Sequence, residues 1–384
     1  MGSTGTIASL PSLPMELVEE EILCRLPVKI LLQLRCVCKS WRSLISDDPK
    51  FTKKHLCMSK ILKQQQHLIL NVPIGGRLSL DYPLSDFFSD ISNPTVTQTQ
   101  LNIPISNSWN HPLSQICSCD GLLCLTFDGR SRTFGERPAV LYNPSLRKYS
   151  TLPPLENHRK REYSYREVKS CLFSFGYDHV NDVYKVIAIS CFKDKHKVDV
   201  YTLGTNNWRS IQDFPYSSPF KHGVFVGGTV NWLVDPYSSP FIVSLDLKTE
   251  SYQKIWQPDL KMDLWALGMF RDCLCIFASS DFFDQNMGCY NMFLDVWIMK
   301  EYGIKESWTK LYHVPYMENQ YTYPNTVYIS DDDQLLFTVD DDEWKWVVYN
   351  SKNGNVKIPN IVRRNYWIPP VVYVESLISL PCSY

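Results

Sequence analysis

The sequence predicts an α+β multidomain chain. Three short N-terminal helices precede an all-β, propeller-like domain of about six four-stranded blades, the last closed by strands from the two ends of that domain. Three observations carry this. Helical periodicity runs from Leu13 to Ile45, where glycine is all but missing. Beyond Phe51 the pattern gives way to short β-rich runs bounded by Gly, Asn, Asp and Pro. Those runs then repeat at a nearly constant interval. The expected division is a flexible tail at 1–10, a helical unit at 11–56 and a β domain at 57–384.

The helical unit follows from local signals. Pro14 suits the first turn of a helix, and Glu16, Glu19, Glu20 and Glu21 lie near its positive end. Leu17, Leu23 and Leu26 form an apolar stripe with Ile22 beside it. Pro27 restarts the chain into a second helix carrying Ile30, Leu31, Leu34 and Val37. Val37, Trp41, Leu44 and Ile45 continue at helical spacing until Asp47-Asp48-Pro49 stops the pattern. So small a unit has too little volume for a core of its own. It is expected to expose apolar residues and to need a partner.

The β domain announces itself by repetition. The phrases VLYNPSLRKYSTLP, VDVYTLGTNNWRSI, IVSLDLKTESYQKI, DVWIMKEYGIKESWTKL and VVYNSKNGNVKIP each hold a strand, a polar turn and a second strand. Taking Tyr142, Tyr201, Leu245, Trp297 and Tyr349 as equivalent gives intervals of 59, 44, 52 and 52 residues, close to one propeller blade. A further hairpin precedes each phrase, with Asp120-Gly121, Asn181-Asp182, Gly227-Gly228, Arg271-Asp272 and Asp331 to Asp333 at the turns. Two hairpins make a four-stranded blade. Two pieces stay unpaired, His67 to Tyr82 and Pro369 to Leu380, and are expected to combine into a sixth, split blade that removes the exposed sheet edges.

Composition excludes several classes. The 39 Lys and Arg against 40 Asp and Glu leave a net charge of −1, which argues against nucleic acid or an acidic membrane as partner. No apolar run approaches a membrane span, and the N-terminus lacks the basic flank and apolar core of a secretion signal, so a soluble cytoplasmic or nuclear chain is expected. Met1 to Thr6 fits the loose pattern for myristoylation at Gly2, without a polybasic patch to supply a second anchor. The 13 cysteines include the pairs Cys36/Cys38, Cys117/Cys119 and Cys273/Cys275 but no CxxC. They read as reduced thiols, chiefly buried; no metal site and no cofactor is expected.

The N-terminal string LPMELVEEEILCRLPVKILLQLRCVCKSWRSLISDDPKF resembles the plant-type F-box almost end to end. Leu13-Pro14, Glu21-Ile22-Leu23, Arg25 to Lys29 and Cys36 to Trp41 stand in the family's order and spacing. Two positions depart from the family pattern: Ile30 replaces a small polar residue, and Gln33 stands near the place of a basic one. The resemblance extends to the F-box-associated, kelch-like interaction domain through Gly121 to Cys124, Asn143 to Arg147, Phe175 to Asp178, Asn181 to Val186, Gly227 to Trp232 and Ser244 to Asp246. It implies a substrate-recognition subunit of an SCF ubiquitin ligase, with the F-box on a Skp-type adaptor and, through it, cullin and RING subunits. The β domain would hold an unidentified target protein at a site the sequence does not reveal. Carried over by position, Leu13, Pro14, Leu17, Ile22, Leu26, Pro27 and Leu31 would face the adaptor. Val37, Trp41 and Leu44 would tie the helices together.

Sites that would indicate other chemistry fall short. GxSxG, GxGxxG, P-loop and HExxH motifs are missing. Asp331 to Asp333 and Asp340 to Glu343 lack the alternating ligands and glycine of a calcium loop, and read as hairpin turns. His158 to Arg161, with Arg166 and Lys169, read as an exposed basic loop. Trp208, Trp232, Trp256 and Trp308 are expected to fill the gaps between blades, with about one in four left as a binding anchor. A non-catalytic role is expected; the alternatives are a scaffold that does not promote ubiquitin transfer and, from another class, an enzyme built on the propeller funnel.

Overall fold

Ahead of the first regular helix, Val18–Ile22 form a wide π-type turn and Leu23–Arg25 a tighter 3-10 turn. These belong to a computed structural model that describes residues 14, 17–62, 65–72, 78–88, 99–101, 113–127, 139–155, 170–219, 221–234, 240–260, 264–284, 289–314, 325–341, 343–359 and 369–381. Helix α1 (Val28–Leu34) begins after extended Pro27, and α2 (Lys39–Asp47) after Cys38, whose Sγ accepts from Trp41 N–H at 3.5 Å. The helical pattern does not end at Pro49. Asp48 Oδ1 accepts from the N–H groups of Lys50 (2.7 Å) and Phe51 (3.1 Å), and Pro49 takes the first helical position of a 14-residue helix, α3 (Pro49–Leu62). A signal that looked like a stop is a stop and a start together, and the division expected between residues 56 and 57 falls inside α3. Phe51, His55, Leu56 and Ser59 form the buried face of this helix.

Six four-stranded antiparallel sheets follow. The first blade holds β1 (Gln66–Val72), β2 (Leu78–Pro83) and β3 (Thr99–Leu101), with a single-turn helix α4 (Ser85–Phe88) after β2. The second is β4–β7 (Leu113–Cys119, Leu122–Phe127, Ala139–Asn143, Lys148–Thr151), and the third β8–β11 (Ser170–Asp178, Val183–Cys191, His196–Thr202, Trp208–Ser210). The fourth is β12–β15 (Val224–Val226, Thr229–Val234, Phe241–Asp246, Tyr252–Ile255). The fifth is β16–β19 (Leu264–Phe270, Cys273–Asp284, Cys289–Met299, Trp308–Val314), and the sixth β20–β23 (Asn325–Ile329, Gln334–Asp341, Glu343–Asn350, Val356–Lys357). The last strand, β24 (Val371–Val374), joins the first blade beside β1, from Gln66↔Val374 to Ile69↔Val371. The inner strands β4, β8, β12, β16, β20 and β24 touch in turn around a ring, and β24 meets β4 to close it.

The repeat read from sequence lands on one structural position: Tyr142, Tyr201, Leu245, Trp297 and Tyr349 all lie on the third strand of their blades. The anticipated turns are also where the backbone becomes left-handed, at Asp120 and Gly121 (φ 53° and 81°), Asp182 (57°), Gly227 and Gly228 (54° and 88°), Arg271 and Asp272 (49° and 56°) and Asp333 (62°). Two successive positive φ values match the right-handed twist of the strands on either side.

Apolar cores lie between neighbouring blades, one at each of the six junctions. Along β5, Leu122 and Cys124 face the third blade while Leu123 and Leu125 face the first. Both faces of such a strand are covered, so it reads as a continuous apolar run rather than an alternating one. The tryptophans fill these junctions. Trp232 is fully buried and donates to Ser174 Oγ at 3.2 Å; Trp308 is 7% exposed and donates to Trp256 O at 2.8 Å. Half-buried Trp208 donates to Pro153 O at 2.8 Å. Trp256 remains 59% exposed.

A seventh core sits under the helices and combines Leu23, Cys24, Val28, Leu31, Ile45 and Phe51 with Leu377 from beyond β24. His55, fully buried, lies with Nε2 2.9 Å from Leu26 O, and Ser59 donates to Gln65 Oε1 at 2.8 Å. Ion pairs Lys60–Asp120 and Lys53–Asp182, each at 2.6 Å, fasten α3 to the β4–β5 and β8–β9 turns.

Candidate functional site

The helical unit leaves apolar side chains outside its core. Leu17 is 49% exposed, Ile22 44% and Ile30 39%; Pro14 and Pro27 are exposed too. Helical period explains the split. On α1, Val28 and Leu31, three apart, turn inward, which turns Lys29 and Ile30 outward. Acidic residues surround the turns before it: Glu21 pairs with Arg25 at 2.7 Å, four positions along, and Glu20 with Lys54 of α3 at 3.2 Å.

The residues expected to face a partner therefore divide. Leu13 lies outside the described residues. Pro14, Leu17, Ile22 and Pro27 are exposed and Leu26 is half-buried. Leu31 requires correction: it is 0% exposed, at the centre of the helical core beside Leu377, so it supports the surface from beneath instead of forming it. Among the residues expected to tie the helices together, Trp41 and Leu44 pack against that core, whereas Val37 is 62% exposed in the turn between α1 and α2. Its expected place rested on continuing the α1 period past Leu34, where the helix has already ended. Ile30 was not among the expected contacts. The signal was present, as an apolar side chain where the family pattern has a small polar one.

Cysteines follow the same division. Cys24, Cys117, Cys119, Cys124, Cys171, Cys191 and Cys275 are buried, while Cys36, Cys38 and Cys57 are exposed. Burial pushes the Cys117 and Cys275 thiols up to about 12, keeping them protonated and inert. A side-chain hydrogen bond with Ser40, 3.1 Å away, holds the Cys38 thiol below its ordinary value.

On the propeller, Trp256 is joined by Tyr216 (40% exposed) and Phe241, with Lys254 Nζ 4.4 Å from the Phe241 ring centroid and 5.2 Å from that of Trp256. The basic residues His158 to Arg161, Arg166 and Lys169 lie outside the described residues, as do Met1 to Thr6. Asp331 to Asp333 form the β20–β21 turn, where Tyr312 donates its hydroxyl to Asp333; Asp340 and Asp341 end β21 and Glu343 begins β22, with Asp342 outside the described residues. Among the described residues, no group of three or more His, Cys, Asp or Glu converges as metal ligands would, and no helix is long and apolar enough to cross a membrane.

Comparison with known proteins agrees with this layout. The family model described as an F-box associated beta propeller domain matches residues 77–380, and that described as an F-box domain matches residues 10–53. An F-box/kelch-repeat protein of Arabidopsis thaliana is 27% identical over 395 aligned residues, covering 98% of this chain and 98% of that protein. The Arabidopsis thaliana F-box protein CPR1 is 28% identical over 381 residues, covering 89% of this chain and 83% of its own.

Proposed function

The chain belongs to the F-box proteins that carry an F-box associated beta propeller domain, and from that membership we propose that it is the substrate-recognition subunit of an SCF ubiquitin ligase. In this reading the helical unit docks on a Skp-type adaptor, and through it on cullin and RING subunits. The propeller holds a target protein. The chain supplies no bond-making group; it raises the effective concentration of target lysines beside the ubiquitin-loaded enzyme.

The observation that carries the reading is the exposure of Leu17, Ile22 and Ile30 on a unit whose core, Leu23, Val28, Leu31, Ile45 and Phe51, is already closed with Leu377 of the propeller domain. Large aliphatics left exposed on so small a unit are a reason to expect a protein interface there. The neutral charge of the chain suits protein partners.

Co-purification with a Skp-type adaptor tests it. Leu13→Ala combined with Pro14→Ala should abolish the complex while the propeller keeps its melting transition; undiminished recovery of the adaptor would remove Leu13 and Pro14 from the interface. Ubiquitin transfer in a reconstituted complex then distinguishes a ligase receptor from a scaffold.

A further inference from the structure

The residues just beyond β24 serve both units. Glu375 N–H donates to Gln65 O at 2.8 Å, continuing the pairing with β1 by one residue. Ser376 is fully buried, and at Leu377 the chain passes beneath the helices. The propeller grips this segment from one side. Asn143, itself fully buried, donates through Nδ2 to Ser376 O (3.0 Å) and Ile378 O (2.8 Å), and Ser145 Oγ accepts from Ser376 N–H at 3.1 Å. Leu380 enters the core between the second and third blades. Gly121, at φ 81°, is approached so closely that a Cβ there would stand 2.4 Å from Ser376 Cβ and from Val374 O.

The helices grip it from the other side. Leu377, 5% exposed, is one of the seven buried residues of the helical core. Glu375 Oε2 accepts from Val28 N–H at 3.0 Å, in the first turn of α1, where Pro27 provides no capping side chain. Two sequence motifs that no binding role had claimed, Asp120-Gly121 and Asn143-Pro144-Ser145, thus share one task.

We propose that Glu375–Leu380 is a latch that fixes the helical unit on the propeller, with Glu375 and Leu377 as positioning residues and the Gly121 and Asn143–Ser145 turns as its seat. The lysine–aspartate pairs of α3 assist without replacing it. Lys53 and Asp182 are 60% and 57% exposed, and such pairs contribute little. The Lys60–Asp120 pair, with its carboxylate buried, is firmer, but neither pair completes the helical core. The latch sets the separation between whatever each unit binds, whether or not an adaptor is present.

Amide hydrogen exchange on the full-length chain tests the latch. Leu377→Ala and, separately, Glu375→Ala should speed exchange in α1 and α3 by about tenfold or more while β8, β9 and β13 stay within about twofold of the wild type. Glu375→Gln, which keeps an acceptor for Val28 N–H, should recover most of the protection. Ser145→Ala, altered only on the propeller side of the segment, should loosen the same helices. Unchanged helical exchange in both Leu377→Ala and Glu375→Ala, or equal acceleration of helices and propeller in Glu375→Ala, would overturn the proposal.

Discussion

His67 of β1 shows how a single propeller residue reaches the Glu375 latch. Its Nδ1 lies 3.2 Å from Asp81 Oδ2 of β2, its Nε2 is 3.7 Å from Glu375 Oε1, and its ring stacks on Tyr373 of β24 at 5.3 Å. Tyr373 in turn donates to Asp81 Oδ1 at 3.2 Å. Burial opposes the charged imidazole, but Asp81, with lesser help from Glu375 and Asp86, outweighs it and raises the pKa above the ordinary 6.5. A folded-state pKa raised this way contributes stability that is complete below the unfolded value and lost as pH rises through the folded value. His55 runs the opposite way: burial lowers its pKa, outweighing the hydrogen bond to Leu26, so its contribution is complete above 6.5 and declines below. Melting temperature measured against pH should therefore fall above pH 6.5 in the wild type and less steeply in His67→Gln. Superimposable slopes for the two proteins would remove His67 from the seam.

At the scale of elements, α3 is where sequence reading and structure part most usefully. Asp48-Pro49 carries a cap and a first-turn proline, and both identities also suit a loop. What decides for a helix is tertiary: Phe51 enters the helical core, His55 meets Leu26 O and Ser59 meets Gln65, and no local pattern reports that. Asp48→Ala should lower the opening free energy of α3 by about 1 kcal/mol, the usual worth of a cap, read from exchange of its amides. No change there would mean that packing alone sets the helix start. The blades were legible for the converse reason. Their turns require left-handed backbone at Asp120-Gly121 and Gly227-Gly228, and residues that tolerate it are few, so chemistry and position coincide. The split blade was legible as two unpaired apolar remnants. Its tail's role under the helices was not, because Leu377 in a strand-like run looks the same whichever core it enters.

For the molecule as a whole, the arrangement is a small unit with a bared apolar surface held on a closed ring. Closure by β24 leaves no blade unpaired, and the segment after it reaches the helices. The same economy explains which expected contacts moved: Leu31 turned inward because the ring supplies Leu377 beneath it, while Leu17, Ile22 and Ile30 stay exposed outside the core that Leu377 completes. In the function proposed above, this outward surface is the adaptor's seat. Calorimetric titration of a purified Skp-type adaptor into the full-length chain measures this seat without intermediaries. Leu17→Asp with Ile22→Asp should weaken binding by at least about tenfold, equivalent to about 1.4 kcal/mol, with the melting temperature unchanged. Wild-type affinity in that double variant would mean that the adaptor binds elsewhere.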